Sequence, residues 1–192
     1  MKWMIASDLH GSAYYGKRMV EAFEREGAER LLLLGDLLYH GPRNDLPRDY
    51  APKEVIPMLN SLKNRLCCVR GNCDAEVDQM VLDFPVLADY CILPAGEKLI
   101  YATHGHIYNL KNLPPLAEGD ILLHGHTHVP VWTEFGQGNV YLNPGSLHPE
   151  GKQSPQLHDA GGRRILLERR RYGRNIPHPC TVSGGLSAGT CN

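Results

Sequence analysis

Four consecutive leucines, Leu31 to Leu34, stop at Gly35-Asp36. A run that short and uniformly apolar has no polar face to turn to solvent. It reads as a β-strand buried on both sides, the habit of parallel strands covered by other layers. Ahead of it, residues 13 to 26 carry Met19, Val20 and Phe23 at helical spacing and stop at Gly27. Earlier still, Lys2 to Ser7 is a short apolar run closing in a polar turn. Strand, helix, strand in that order calls for an α/β fold around a parallel sheet.

The pattern continues. Pro52 sits where a first helical turn tolerates proline, and Val55, Ile56, Leu59 and Leu62 follow on one face. Leu66 to Val69 supplies the next strand, with Arg70-Gly71-Asn72 as the loop after it. Between the second strand and the second helix, residues 39 to 51 form a long polar loop containing Gly41, Pro42 and Pro47. Residues 75 to 82 read as a short helix. Closely spaced strands are then expected near 86 to 92, 98 to 103, 120 to 124, 129 to 134 and 139 to 142. A helix-rich first half and a strand-rich second half predict two sheets packed together with helices outside. A chain of 192 residues, 42% of them hydrophobic, is enough for one compact domain.

Charge narrows the partners. Twenty basic and 21 acidic side chains leave a formal charge of -1, so no global field holds a nucleic-acid backbone or an anionic membrane. The first apolar stretch is too short for a signal peptide, Asp8 interrupts it, and no later run approaches a membrane span. A cytoplasmic protein is expected. Cysteines 67, 68, 73, 91, 180 and 191 show no C-x-x-C spacing, which favours reduced thiols over disulfides or a thiolate metal site.

Five segments then stand out, each just after a strand-like run: Asp8-Leu9-His10, Gly35-Asp36, Gly71-Asn72-Cys73-Asp74, Thr103-His104-Gly105-His106 and Gly125-His126-Thr127-His128. Loops leaving the carboxyl ends of parallel strands converge on one rim, where ligands are held. Residues two apart on an extended segment point the same way, so Asp8 with His10, and His126 with His128, can aim paired side chains into that rim. Carboxylate, imidazole and amide ligands suit Mn²⁺, Fe or Zn²⁺, and pairs of such ions commonly catalyse displacement at phosphorus. Phosphate-ester hydrolysis is the expected chemistry.

Asp8-x-His10, Gly35-Asp36, Gly71-Asn72, His104 and Gly125-His126-x-His128 together resemble the calcineurin-like metallophosphoesterases. Gly41-Pro42-Arg43-Asn44, Arg70-Gly71-Asn72-Cys73-Asp74 and Asn143-Pro144-Gly145-Ser146 narrow the resemblance to their YfcE-type phosphodiesterase branch, over residues 1 to about 146. The resemblance implies a four-layer α/β/β/α sandwich of two mixed sheets, with two divalent ions. Asp8, His10 and His128 would hold one ion, Asn72, His104 and His126 the other, and Asp36 would bridge them. Mn²⁺ is expected, with Zn²⁺, Fe, Ni²⁺ and Co²⁺ as alternatives. A hydroxide held between the ions would attack a small phosphodiester in line. Asp36, Asn72, His106 and Arg70 are the expected catalytic groups. His106 could equally serve a structural role, and Arg70 could pair with a neighbouring carboxylate instead of touching phosphate. Relatives are similar in forming homo-oligomers.

Two features depart from the wider family. Many relatives have histidine where Cys73 stands, and a thiol is a poor proton donor to an alkoxide, so general-acid help is missing and substrates whose leaving groups need little help are favoured. YfcE-type relatives are similar in carrying this replacement and in favouring phosphodiesters, and the resemblance implies the same preference here. Cys73 as a covalent nucleophile is the weaker alternative, since no phosphatase-type loop and arginine follow it. The second departure is residues 147–192, an atypical tail whose Ile165-Leu166-Leu167 is followed by scattered Gly, Pro and Cys without period. Read in another frame, codons for Pro149 to Lys152 and Leu157 to Ala160 can spell family-like residues, so a frameshift origin and a disordered tail are expected. Its arginines, Arg163 to Arg174, could instead form a nucleic-acid arm. Two other readings of the whole chain are a non-catalytic metal-binding or protein-interaction scaffold of the same fold, and a nucleotide pyrophosphatase or nuclease. A duplex is disfavoured by the neutral charge.

Overall fold

The computed structural model describes residues 1–148 and the backbone of 165–168 and 181–183. Two five-stranded mixed sheets stack face to face. In the first, β1 (Trp3–Ala6), β2 (Arg30–Leu33) and β3 (Leu66–Cys68) run parallel. The second contains β4 (Tyr90–Ala95), β5 (Lys98–Thr103), β6 (Ile121–Leu123), β7 (Val131–Phe135) and β8 (Asn139–Asn143), in the order β4-β5-β6-β8-β7. There β5, β6 and β8 are parallel, and antiparallel hairpin partners β4 and β7 close the two edges.

Alternation along each strand divides the core in two. Met4, Ala6, Leu31 and Leu33 face the helices, while Ile5, Leu32, Leu34 and Val69 meet Ile100, Ala102, Ile121, Leu123, Val140 and Leu142 of the second sheet. The leucine run is thus buried on both faces, as its composition requires. Each such side chain contributes about 1.5–3 kcal/mol relative to exposure.

The helices covering the first sheet follow their sequence signals. Ser12 caps α1 (Ala13–Arg25), its Oγ accepting the Tyr15 N–H at 3.2 Å, and Met19, Ala22 and Phe23 bury the inward face. The second helix, α2 (Pro52–Asn60), opens on proline and buries Val55 and Leu59. Gly16 lets α1 approach α2, because a Cβ there would lie 2.9 Å from Met58 Sδ. A 3₁₀ turn (Lys63–Arg65) leads into β3, and a short α3 (Glu76–Gln79) follows the loop beyond it. The expected helix over 75 to 82 is this single turn. Leu82 instead drops into the core.

The fourth strand begins later than its composition suggests. Phe84 and Val86 are buried but irregular, Pro85 lacks the N–H a ladder needs, and the Val86 N–H is taken by Gln79 Oε1 at 3.0 Å. Pairing therefore starts at Tyr90, and Pro94 is accommodated because β4 is an edge strand.

Of the expected tail, Leu147 belongs to the first core, its N–H donated to the Ser7 carbonyl at 3.0 Å. Two further segments, β9 (Ile165–Glu168), antiparallel to β1, and β10 (Thr181–Ser183), parallel to β9, extend the first sheet. The expectations of frameshift, disorder and an arginine arm otherwise fall on positions outside the described residues. Among the described residues, no helix is long and apolar enough to cross a membrane.

Candidate metal centre

The loops after β1, β2 and β3 meet those after β5 and β6 on one rim, and hydrogen bonds between the sheets lock them. The His126 N–H donates to Asp8 Oδ2 at 3.0 Å, and His104 Nδ1 faces the Leu34 carbonyl at 2.6 Å. Ser146 Oγ, just past the last strand of the second sheet, donates to the Asp8 carbonyl at 2.9 Å.

Backbone conformation at this rim is unusual. Six described non-glycine residues have positive φ, and five of them are Asp8, His10, Asp36, His126 and His128, at 50° to 64°. Such residues sit in a sparsely populated region that a folded protein tolerates mainly at functional sites. Sharp turns after each strand bring the side chains back over the rim. Glycines make room: a Cβ on Gly71 would collide with Asp36 Oδ1, and one on Gly125 with Ser7 Oγ.

Two clusters of ligand atoms result, sharing one carboxylate. In the first, His10 and His128 bring their Nε2 atoms within 3.3 Å of each other, and Asp8 Oδ1 lies 3.2 Å from His128 Nε2 and 3.7 Å from His10 Nε2. In the second, His104 Nε2 stands 3.0 Å from Asn72 Oδ1 and 3.2 Å from His126 Nδ1. Asp36 Oδ2 lies between them, 3.7 Å from His10 Nε2 and 3.4 Å from His104 Nε2.

These contacts fit cations. His10 Nδ1 faces the Tyr39 carbonyl at 2.8 Å and His104 Nδ1 the Leu34 carbonyl, so each ring carries its hydrogen there and turns a lone pair on Nε2 toward the cluster. Around His104 Nε2, an amide oxygen, a carboxylate oxygen and a second imidazole nitrogen all converge. Lone pairs repel unless a positive centre lies among them. Asp8 Oδ1 is buried and accepts no hydrogen bond, although a buried carboxylate oxygen normally does.

Without a cation, a proton answers the same field. Burial pushes Asp36 up, but the His104 hydrogen bond and charge outweigh it and hold the carboxyl at about 2. Burial acts to lower His104, yet the Asp36 hydrogen bond and the Asp8 charge raise it to about 9. Burial likewise raises Asp8, and the His128 and His104 interactions bring it below the usual carboxylate value. His126, chiefly desolvated and also repelled by His104, is lowered.

The seven expected ligands are all brought together; the expected catalytic groups divide. Asp36 and Asn72 line the open cleft, about 140 Å³, together with Cys73, Arg43 and Asn44. His106 is not among the residues lining the cleft; its ring lies 5.4 Å from that of His104 and 6.3 Å from that of His126. Arg70 turns away, donating from Nε to the Asp74 carbonyl at 3.3 Å and pairing with Glu76 at 3.8 Å, which matches its alternative as a structural ion pair. Among the described residues, the Arg lining the cleft is Arg43.

Cys73 also lines the cleft. Its backbone N–H donates to Asp36 Oδ1 at 2.8 Å, while burial first and Asp36 second push its thiol up to about 12. In that state it is protonated and unsuited to nucleophilic attack. Asp74 is a residue that sequence reasoning left without a role. Almost fully buried, its carboxylate accepts the N–H groups of Asp36 at 2.8 Å, Leu37 at 2.9 Å and Gly71 at 2.7 Å. Nothing in the spacing of the sequence marks this role, because all three partners are backbone N–H groups.

A mixed two-sheet sandwich carrying carboxylate, imidazole and amide ligands at its strand ends defines a metallophosphoesterase fold. The chain belongs to the calcineurin-like phosphoesterase superfamily, whose domain model matches residues 1–160. It is similar to phosphodiesterase YfcE of Escherichia coli (strain K12), with 46% identity over 152 residues, 79% of this chain and 82% of that one. The solved structure of YfcE, a phosphoesterase from E. coli, superimposes with a TM-score of 0.77 at 44% identity, covering 81% of this chain and 85% of that chain. A probable metallophosphoesterase, YsnB of Bacillus subtilis (strain 168), is 34% identical over 154 residues, 77% of this chain and 75% of that one.

Proposed function

We propose that this chain is a metal-dependent phosphodiesterase acting on small phosphodiesters. The observation that carries the reading is the position of Asp36 Oδ2, between His10 Nε2 at 3.7 Å and His104 Nε2 at 3.4 Å. Asp8, His10 and His128 would hold one divalent cation and Asn72, His104 and His126 a second, with Asp36 shared. Mn²⁺ is the proposed ion, supported by the hard oxygen and imidazole donors and the lack of thiolate pairs. When bound, such cations supply Lewis acidity and activation of water for in-line displacement at phosphorus.

The chain's own groups have definable parts. The carbonyls of Tyr39 and Leu34 hold the His10 and His104 rings in one tautomer and orientation. Ser7 Oγ, donating to Asp8 Oδ2 at 2.6 Å, leaves Oδ1 directed at the cluster. With Arg43 as the one Arg or Lys lining it among the described residues and a cleft of about 140 Å³, the site suits a phosphodiester with small substituents better than a duplex. The preference for diesters over monoesters rests on Cys73, which cannot protonate a departing alkoxide as an imidazolium would. A cytoplasmic location agrees with the free thiols of Cys67, Cys68, Cys73 and Cys91.

The test is hydrolysis of a chromogenic phosphodiester and its matching monoester by purified protein, with Mn²⁺, with chelator, and with Asp36→Asn. Manganese-dependent diester cleavage abolished by chelator and by the substitution is expected. Equal diester cleavage with and without metal would overturn the reading.

A further inference from the structure

We propose that Arg43 is the catalytic group that stabilises the departing alkoxide, a role left open by the thiol at position 73. This rests on the phosphodiesterase reading above. Three observations carry it. First, among the described residues Arg43 is the one Lys or Arg lining the cleft, alongside Asp36, Asn72 and Cys73. Second, the loop bearing it is fastened directly over Cys73. A Cβ added to Gly41, which has φ +81°, would lie 3.2 Å from Cys73 Sγ, and Asn44 Nδ2 closes the same turn by donating to the His40 carbonyl at 2.8 Å. The His40 ring packs edge-on to Tyr50 at 5.2 Å, and Tyr50 bridges back to Ser12, so both ends of the loop are tied to the domain. Third, Arg43 is exposed and makes no hydrogen bond or ion pair among the described residues. Arg70, by contrast, is engaged with Asp74 and Glu76.

The chemistry balances without a side-chain acid. Water adds to phosphorus as the bond to the leaving oxygen breaks; the hydroxyl stays on phosphorus and a solvent proton ends on the alcohol. Guanidinium keeps its protons throughout, so Arg43 acts by donating hydrogen bonds to charge that grows on the leaving oxygen and on the non-bridging oxygens. Such stabilisation matters most where the developing charge is largest, for the more basic leaving groups.

The experiment measures kcat for Mn²⁺-loaded wild type, Arg43→Ala and Arg43→Lys on aryl methyl phosphodiesters spanning a range of leaving-group pKa, with and without added guanidinium. Arg43→Ala should lose roughly 100-fold on the most basic leaving group and only a few-fold on 4-nitrophenol, steepening the dependence on leaving-group pKa. Arg43→Lys should fall between, and guanidinium should restore part of the alanine variant's rate. Metal affinity measured by calorimetry should be unchanged. A uniform loss across the series, or no loss, overturns the role of Arg43 while leaving the phosphodiesterase reading standing. Wild type inactive on every ester overturns both.

Discussion

The carboxylate of Asp74 accepts the backbone N–H of Asp36 at 2.8 Å, so a residue in the loop after β3 sets the pose of the shared carboxylate after β2. The same side chain binds Leu37 and Gly71. Asp74→Asn would replace one acceptor oxygen by a donor facing buried N–H groups. A loss of about 2–4 kcal/mol in denaturant unfolding is expected, with diester activity falling at least tenfold from misplacement of Asp36. A variant as stable and active as wild type would show that this clasp is dispensable.

Gly71→Ala tests the close approach of two loops. Its Cβ would meet Asp36 Oδ1 and Asp36 N, so either the loop after β3 or the shared carboxylate must move. Reduced stability by about 1–3 kcal/mol and weaker metal binding by calorimetry are expected. Gly27→Ala is the companion measurement: φ is +60° there but nothing lies near, so any loss should be confined to stability.

Cys73→His puts an imidazole in place of the thiol. The ratio of monoester to diester turnover should rise, because protonated imidazole can donate to a leaving oxygen where a thiol pushed up to about 12 cannot. An unchanged ratio would remove the explanation offered for diester preference. Since a Cβ at Gly41 would be only 3.2 Å from Cys73 Sγ, the larger ring also presses on the Arg43 loop, so both ratios and absolute rates need measuring.

The stability of metal-free protein should have a defined pH window. His104 titrates at about 9 in the fold against an ordinary 6.5, so the stability it adds is complete below about 6.5 and is lost as pH rises through about 9. Asp36 titrates at about 2 against 3.8, so its contribution is present above 3.8 and is lost as pH falls toward 2. Metal binding competes with protons for His104, so the gain in Tm on adding Mn²⁺ should grow between pH 6.5 and 9. Scanning calorimetry with chelator and with Mn²⁺ checks this; a gain independent of pH would contradict it.

Much of this site was legible in the sequence because its ligands sit at strand ends, and strand ends are marked by abrupt changes from apolar runs to glycine. The leucine run into Gly35-Asp36 and the pairs Asp8 with His10 and His126 with His128 needed only periodicity and topology. Arg70 and Arg43 were harder. Both flank ligand segments, and which one reaches the cleft depends on where long side chains find partners: Glu76 and the Asp74 carbonyl draw Arg70 away. Asp74 escaped notice because its role is wholly toward backbone N–H groups, which leave no residue pattern. The start of β4 was misplaced for a related reason. Phe84 and Val86 have strand-like composition, but Gln79 and Pro85 remove the N–H groups that pairing would use.

The left-handed backbone at Asp8, His10, Asp36, His126 and His128 has a consequence for how such a chain can change over generations. Each residue there is held at a local cost of roughly 1–2 kcal/mol that glycine would escape. Glycine would also give up the hydrogen bonds that Asp8 Oδ2 accepts from the His126 N–H and Asp36 Oδ1 from the Cys73 N–H. Strained backbone and ligand side chains therefore hold each other in place, and a change at any one of these positions unsettles its neighbours across the rim.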